Sequence, residues 1–259
     1  MGADIHPSAV VSPEAKIADG VSIGPFSVIG QRVEIGKDTV IDSHVVIDGN
    51  TVIGQRNRIY PYVSLGLPPQ DVGYSGEDTR LVIGDDNVIR EFVTVNRATT
   101  KQDRVTRIGS HNYLMAYAHV AHDCMLGNSI IMSNAATLGG HIEIGDKAII
   151  GGLVAIHQFV RIGAYAFIGG MSATVKDIPP FMMASGARAK LYGLNVRGLK
   201  REGFSREKID GLKRAYQIIW RDHQLLNEAL KRVQEEIAPF EELDMLLDFL
   251  ASSKRGVVR

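Results

Sequence analysis

The chain has 259 residues, 45% of them hydrophobic and 22% charged, which is enough length to bury a sizeable core. Its 29 basic and 29 acidic side chains cancel, and basic and aromatic residues are not interleaved, which argues against a nucleic-acid binder. The single cysteine, Cys124, excludes an internal disulfide, and no apolar run approaches a secretory leader or a membrane span, so the expectation is a cytoplasmic protein with no integral membrane segment.

From Ile5 an aliphatic residue recurs at every sixth position, through Val11, Ile17, Ile23, Ile29, Ile35, Ile41, Ile47, Ile53 and Ile59 to Leu65. A second series runs from Ile108 through Leu114, Val120, Leu126, Met132 and Leu138 to Ile168. Six fits neither the 3.6-residue period of a helix nor a simple hairpin ladder, but it accommodates three short strands per eighteen-residue coil. The predicted fold is therefore mainly β: a solenoid of roughly eight triangular coils, stacked about 4.8 Å apart with the aliphatic side chains inside. Glycine often follows the aliphatic residue, as at Gly24, Gly30, Gly36, Gly109 and Gly127, and is expected to supply the φ values that a corner needs. Two residues before the aliphatic one stand interior fillers such as Val21, Ser27, Thr39 and Thr51. Cys124 occupies the same place before Leu126, so it reads as packing and not as a nucleophile.

The count breaks near 66–81 and again near 97–107, which predicts two loops thrown outward from corners, where a rigid solenoid tends to carry its binding residues. It ends at Pro179-Pro180, placing the hexapeptide-repeat prism in 1–180 and an α-helical domain in 181–259. In that domain Ser205 can cap a helix with Ile209, Leu212, Tyr216, Ile219 and Trp220 on one face. A second helix would use Leu226, Ala229, Leu230 and Val233, and a third Leu243, Leu246, Leu247 and Leu250, with Gly256 past its end. Charge is divided between the two regions: 14 Lys and Arg against 18 Asp and Glu before residue 181, and 15 against 11 after it. The basic stretch 188–214 is a candidate surface for an acidic protein or a phosphate.

Residues eighteen apart stack on one wall. Val120, Leu138 and Ile156 are such a set, and His122, His141 and His157 stand close to them, with His119 beside the first. The remaining histidines, His6, His44, His111 and His223, join no such column. Neutral imidazoles in a column can ligate zinc, as in γ-class carbonic anhydrases, or one of them can act as a general base on a hydroxyl. The His119/His122 spacing does not reproduce the longer ligand spacing of those zinc enzymes, so the base is the preferred reading. A trimeric scaffold whose histidines merely decorate a wall is the non-enzymatic alternative.

The six-residue repeat, His119-Val120-Ala121-His122-Asp123-Cys124, Gly139-Gly140-His141, His157-Gln158, Gly193-Leu194-Asn195, Gly198-Leu199-Lys200-Arg201 and Gly203-Phe204-Ser205 together resemble the UDP-N-acetylglucosamine acyltransferases along essentially the whole chain. The resemblance implies a left-handed parallel β-helix and a homotrimer with active sites between subunits. It implies transfer of a 3-hydroxyacyl group from acyl carrier protein, on its 4'-phosphopantetheine arm, to the 3-position of the UDP-sugar, the first step of lipid A biosynthesis. By the same likeness His122 would be the general base, Asp123 would support it, and the Gly140 N–H would donate to the developing oxyanion. Adjacent strand residues point oppositely, so contact between His122 and Asp123 requires a corner. His119, His141, His157 and Gln158 would hold substrate, with Asp71 in the first loop and Asn195 and Arg201 in the helical domain; no metal and no bound cofactor is implied.

Gly170 matches the position at which acyl length is set, and a glycine leaves room for longer chains where a methionine would shorten the slot. The chain departs from the family at Gly73, where relatives carry lysine, at Asn96-Arg97-Ala98, and at Arg197 and Glu202. These departures keep open a diamino sugar, acylated on nitrogen, as the acceptor.

Overall fold

The computed structural model describes residues 2–222 and 225–259; His223 lies outside the described residues. Short strands recur on three walls, in sheets of eleven, nine and eight strands that are parallel except for the last strand of the first, and the third wall has one strand per full coil. The first wall begins with Asp4–Ile5, the second with Val10–Val11 and the third with Lys16–Ile17. Together they form the left-handed parallel β-helix that the resemblance implied.

The six-residue count becomes the core. Ile23, Ile29, Ile35, Ile41, Ile47, Ile53, Ile59 and Leu65 are all buried, as are Leu114, Val120, Met132, Leu138, Ile150 and Ile168. Each contributes roughly 1.5–3 kcal/mol against the entropy of ordering the chain. Ile5, in the first described strand, remains exposed. Cys124 is an interior filler, as expected: it is fully buried, its Sγ lies 3.1 Å from the Gly139 carbonyl, and burial pushes its thiol up to about 12.

The glycines act differently from the expectation. None of Gly24, Gly30, Gly36, Gly109 or Gly127 has positive φ. The left-handed backbone falls two residues later, on non-glycine residues such as Phe26, Asp38, Asp123, Ser129, His141 and Phe159, at φ between 56° and 65°. Glycine is needed after the aliphatic residue because the next coil passes too near: a Cβ on Gly36 would meet the Gly54 backbone at 2.6 Å. Close approach, not dihedral freedom, explains that column.

Both outward loops are present. The pairing step between neighbouring coils is 18 residues, as in Asp4↔Ser22, and lengthens to 30 across the first loop (Arg58↔Val88) and 25 across the second (Thr94↔His119) before returning to 18. Beyond the prolines, Met182–Ser185 adds a parallel strand to the first wall and pairs antiparallel with Lys190–Leu194. Helices α1 (Val196–Arg201), α2 (Arg206–Trp220), α3 (Leu226–Glu236) and α4 (Glu241–Ala251) follow. The Ser205 side chain caps α2 by accepting from the Lys208 N–H at 3.2 Å, as its sequence predicts. The short α1 was not legible; Asn195 caps it instead.

Candidate active site

The strand His119–Val120 lies on the second wall, and the chain then turns through Asp123 into the third. The left-handed backbone at Asp123 (φ 60°) supplies the corner that the His122–Asp123 contact requires: Nδ1 of His122 lies 2.8 Å from Oδ2 of Asp123. One coil above, His141 stands at the equivalent corner, with its Nε2 3.7 Å from the same carboxylate oxygen and its ring stacked on Phe159 at 4.4 Å. The rings of His122 and His141 meet edge to face, 5.2 Å apart.

Asp123 is buried, and burial alone would raise its pKa. Hydrogen bonds from His122 and Thr99 outweigh that and hold the carboxyl below its usual range. Thr99 donates through its hydroxyl at 2.7 Å and its N–H at 3.1 Å. An ionised Asp123 accepts the Nδ1–H of His122, leaving the Nε2 lone pair for a proton. Burial, followed by the field of His122, lowers the pKa of His119; its Nδ1 lies 2.7 Å from the Thr94 hydroxyl. His141 is likewise lowered, chiefly by burial, so both rings favour the neutral form.

Gly140 packs against His122. A Cβ there would stand 2.5 Å from the ring Cε1 and 2.9 Å from Nε2, so the ring occupies the space a side chain would need. The flanking N–H groups of Gly139 and His141 donate to the carbonyls of Ile156 and His122; among the described residues that of Gly140 has no such backbone partner. A backbone N–H without a backbone acceptor, on a residue packed against an imidazole, is the kind of donor that an oxyanion requires.

The two loops complete this side of the site. Asp71 is largely buried, accepts the Gly73 N–H at 2.8 Å and pairs with Lys101 of the second loop. Lys101 first, then the Gly73 N–H, holds its carboxyl below the usual range. Gln102 reaches the Nδ1 of His141 at 2.9 Å. Thr99, Lys101 and Gln102 were not singled out in the sequence; the only signal was that they lie in the second break of the count.

The remaining predicted residues are placed elsewhere. His157 and Gln158 are exposed at the next corner turn of the same column, where Arg255 approaches His157 Nδ1 at 3.4 Å. Asn195 and Arg201 line a cavity of about 510 Å³ together with Ile149, Phe167 and Met183, which belong to the first wall. Asn195 uses its side chain locally, accepting from the Gly198 N–H at 3.1 Å and donating to the Tyr165 carbonyl at 3.0 Å. Gly170 precedes the corner between the first and second walls, and a Cβ there would meet only the Gly152 backbone, at 3.2 Å from its carbonyl oxygen. The predicted residues therefore fall into two sets, one at the corner between the second and third walls and one against the first wall, with Gly170 before the corner between the first and second. As for a metal, His122, Asp123 and His141 bring ligand atoms within 4.8 Å of one another. That set is two imidazoles and a carboxylate engaged in hydrogen bonds, not the three-histidine set of the zinc alternative.

Comparisons with known proteins agree along the full length. The family described as Udp N-acetylglucosamine O-acyltransferase, Domain 2, matches residues 177–258. The acyl-[acyl-carrier-protein]–UDP-N-acetylglucosamine O-acyltransferase of Thiobacillus denitrificans is 57% identical over 99% of this chain and 100% of its own, and that of Thermodesulfovibrio yellowstonii 54% over 99% of each. Among solved structures, LpxA from Acinetobacter baumannii superposes with a TM-score of 0.96 at 44% identity, covering 98% of this chain and 99% of its own. The UDP-N-acetylglucosamine acyltransferase of Arabidopsis gives 0.84 at 33%, covering 98% of this chain and 100% of its own.

Proposed function

The chain belongs to the UDP-N-acetylglucosamine O-acyltransferase family, and on that premise we propose that it moves a 3-hydroxyacyl group from acyl carrier protein to the 3-hydroxyl of UDP-N-acetylglucosamine, opening lipid A biosynthesis, with His122 as its base. The observation that carries the mechanism is the His122–Asp123 pair at a buried corner beside Gly140. Nε2 of His122 takes the proton of the 3-hydroxyl as its oxygen attacks the thioester carbonyl. The tetrahedral oxyanion accepts from the Gly140 N–H, and Asp123 stabilises the imidazolium. Collapse breaks the carbon–sulfur bond, and the imidazolium returns its proton to the departing phosphopantetheine thiolate. No cofactor bound to the chain itself enters these steps.

Asp71, His119, His141, His157 and Gln158 then hold the acyl donor and the sugar, while Asn195 and Arg201 hold the nucleotide. Since these groups occupy two walls, a homotrimer that sets the histidine corner of one subunit against the first wall of the next unites them; Gly170, where a Cβ would meet only the Gly152 backbone, sets acyl length. Carrier-protein transfer is cytoplasmic chemistry, and among the described residues no helix is long and apolar enough to cross a membrane. The names of the relatives favour the O-acyltransferase over the amino-sugar reading.

The test is to offer purified enzyme a series of 3-hydroxyacyl carrier proteins with UDP-N-acetylglucosamine or its 3-amino analogue and to identify the products by mass. The expected result is an ester of the hydroxy sugar with the longer chains preferred, and a shift to shorter chains in Gly170→Met. Acylation of the amine alone would reject the assigned acceptor, and unchanged chain selectivity in Gly170→Met would reject the role of Gly170.

A further inference from the structure

The first and second outward loops meet over the histidine corner through a lysine to which the functional reading gives no part. Lys101 joins Asp71 by an ion pair across 30 residues of sequence. The pair is unequal: the Lys101 side chain is 58% exposed, whereas that of Asp71 is 12% exposed. Asp71 lies close enough to His122, and both Lys101 and Asp71 close enough to His141, for their charges to act on one another. Among the described residues each oxygen of Asp71 has one partner, the Gly73 N–H on Oδ1 and Lys101 on Oδ2. Each oxygen therefore keeps a lone pair for a ligand, and the ammonium keeps two N–H groups after making its bond to Asp71.

We propose that Lys101 is a positioning residue for the acceptor sugar: it fixes the Asp71 carboxylate in the orientation that receives the sugar hydroxyls and offers its remaining N–H donors to the same sugar. The proposal rests on the reading of Asp71 as a sugar contact. A surface ion pair would do little by itself, but here one partner is nearly buried and the other is the cation that the two loops close over it. The loops do not depend on this pair for their fold. Asn96 donates to the Pro68 carbonyl at 2.8 Å, and Arg97 donates to the Tyr74 hydroxyl at 3.0 Å and to the Gly66 carbonyl at 2.8 Å, so three other links hold the second loop to the first.

The experiment is steady-state kinetics of Lys101→Ala, Lys101→Met, Lys101→Arg and Asp71→Asn, varying each substrate in turn. Losing a charge-assisted contact made equally in the ground and transition states raises KM for the UDP-sugar about tenfold in Lys101→Ala and Lys101→Met, while kcat and the KM for acyl carrier protein stay near wild type. Lys101→Arg restores most of the loss, and Asp71→Asn raises the same KM. If Asp71→Asn raises KM and the Lys101 variants do not, Lys101 has no positioning role and Asp71 keeps its own. If neither change moves KM for the sugar, the reading of Asp71 fails and the proposal falls with it. A fall in kcat alone, or a loss that Lys101→Arg does not repair, also overturns it; thermal midpoints of all four variants identify any that lose their fold.

Discussion

Two neighbouring side chains in an extended strand cannot meet, and the left-handed backbone at Asp123 is what lets this residue turn back onto His122. A non-glycine residue in that region costs roughly 1–2 kcal/mol. Here three hydrogen bonds to its buried carboxylate, from His122 and twice from Thr99, hold it in place. Gly140 makes the complementary demand, since the His122 ring fills the position of its Cβ. Gly140→Ala must therefore displace the ring, and a misplacement on the ångström scale lowers kcat about a hundredfold. Kinetics alongside thermal unfolding should show that loss with little change in midpoint, and a fully active Gly140→Ala would mean that the ring does not work from this position. The histidine column was legible because its members fall within a residue or two of one corner in successive coils. Thr99, Lys101 and Gln102 were not, because their partners are 24 to 39 residues distant and are met only after the loop folds back.

At the scale of the coil, the wall–corner division explains which substitutions the prism tolerates. Gly36→Ala drives a methyl group into the Gly54 backbone at 2.6 Å and should cost about 1–3 kcal/mol. Ser129→Gly removes a side chain from the left-handed region while adding unfolded-state freedom, so the two effects offset to within about 1 kcal/mol. Urea unfolding of the two variants measures the difference, and an equal or reversed ranking would contradict this account of the corners. The hexad gave away the walls and the core because burial repeats with the sequence period. It could not assign the turn positions, since the residue that bends the backbone is Phe26, Asp38, Ser129 or Ala135 as readily as any other type. Nor did it show the column in which Phe26, His44, Tyr62, Phe92 and Tyr117 lie ring against ring at 4.8–5.1 Å, which depends on the loop lengths that bring Tyr62 beneath Phe92.

For the whole molecule, the prism is a frame that holds His122, Asp123, Gly140 and two loops at one corner, and a cavity of about 510 Å³ against another wall. The helices position the second of these: Asn195 and Arg201 belong to the start of the helical region, and their cavity is floored by first-wall side chains. The basic stretch seen in the sequence also takes shape. Arg188 and Lys190 join Lys176 and Arg259 around a cavity of about 610 Å³ with Ala173, Val175, Ala187 and Val258 at its apolar side. Coil number, wall assignment and helix faces could all be read from periodicity, whereas the proposed union of the two walls would rest on contacts between chains, which no period encodes. The central claim is that His122, held by Asp123, removes the proton from the sugar hydroxyl. Its most direct test is kcat/KM for acyl transfer by His122→Ala, with circular dichroism and thermal unfolding recorded on the same sample. The account predicts a fall of about a thousandfold or more with the fold unchanged, and activity retained within about tenfold of wild type would contradict it.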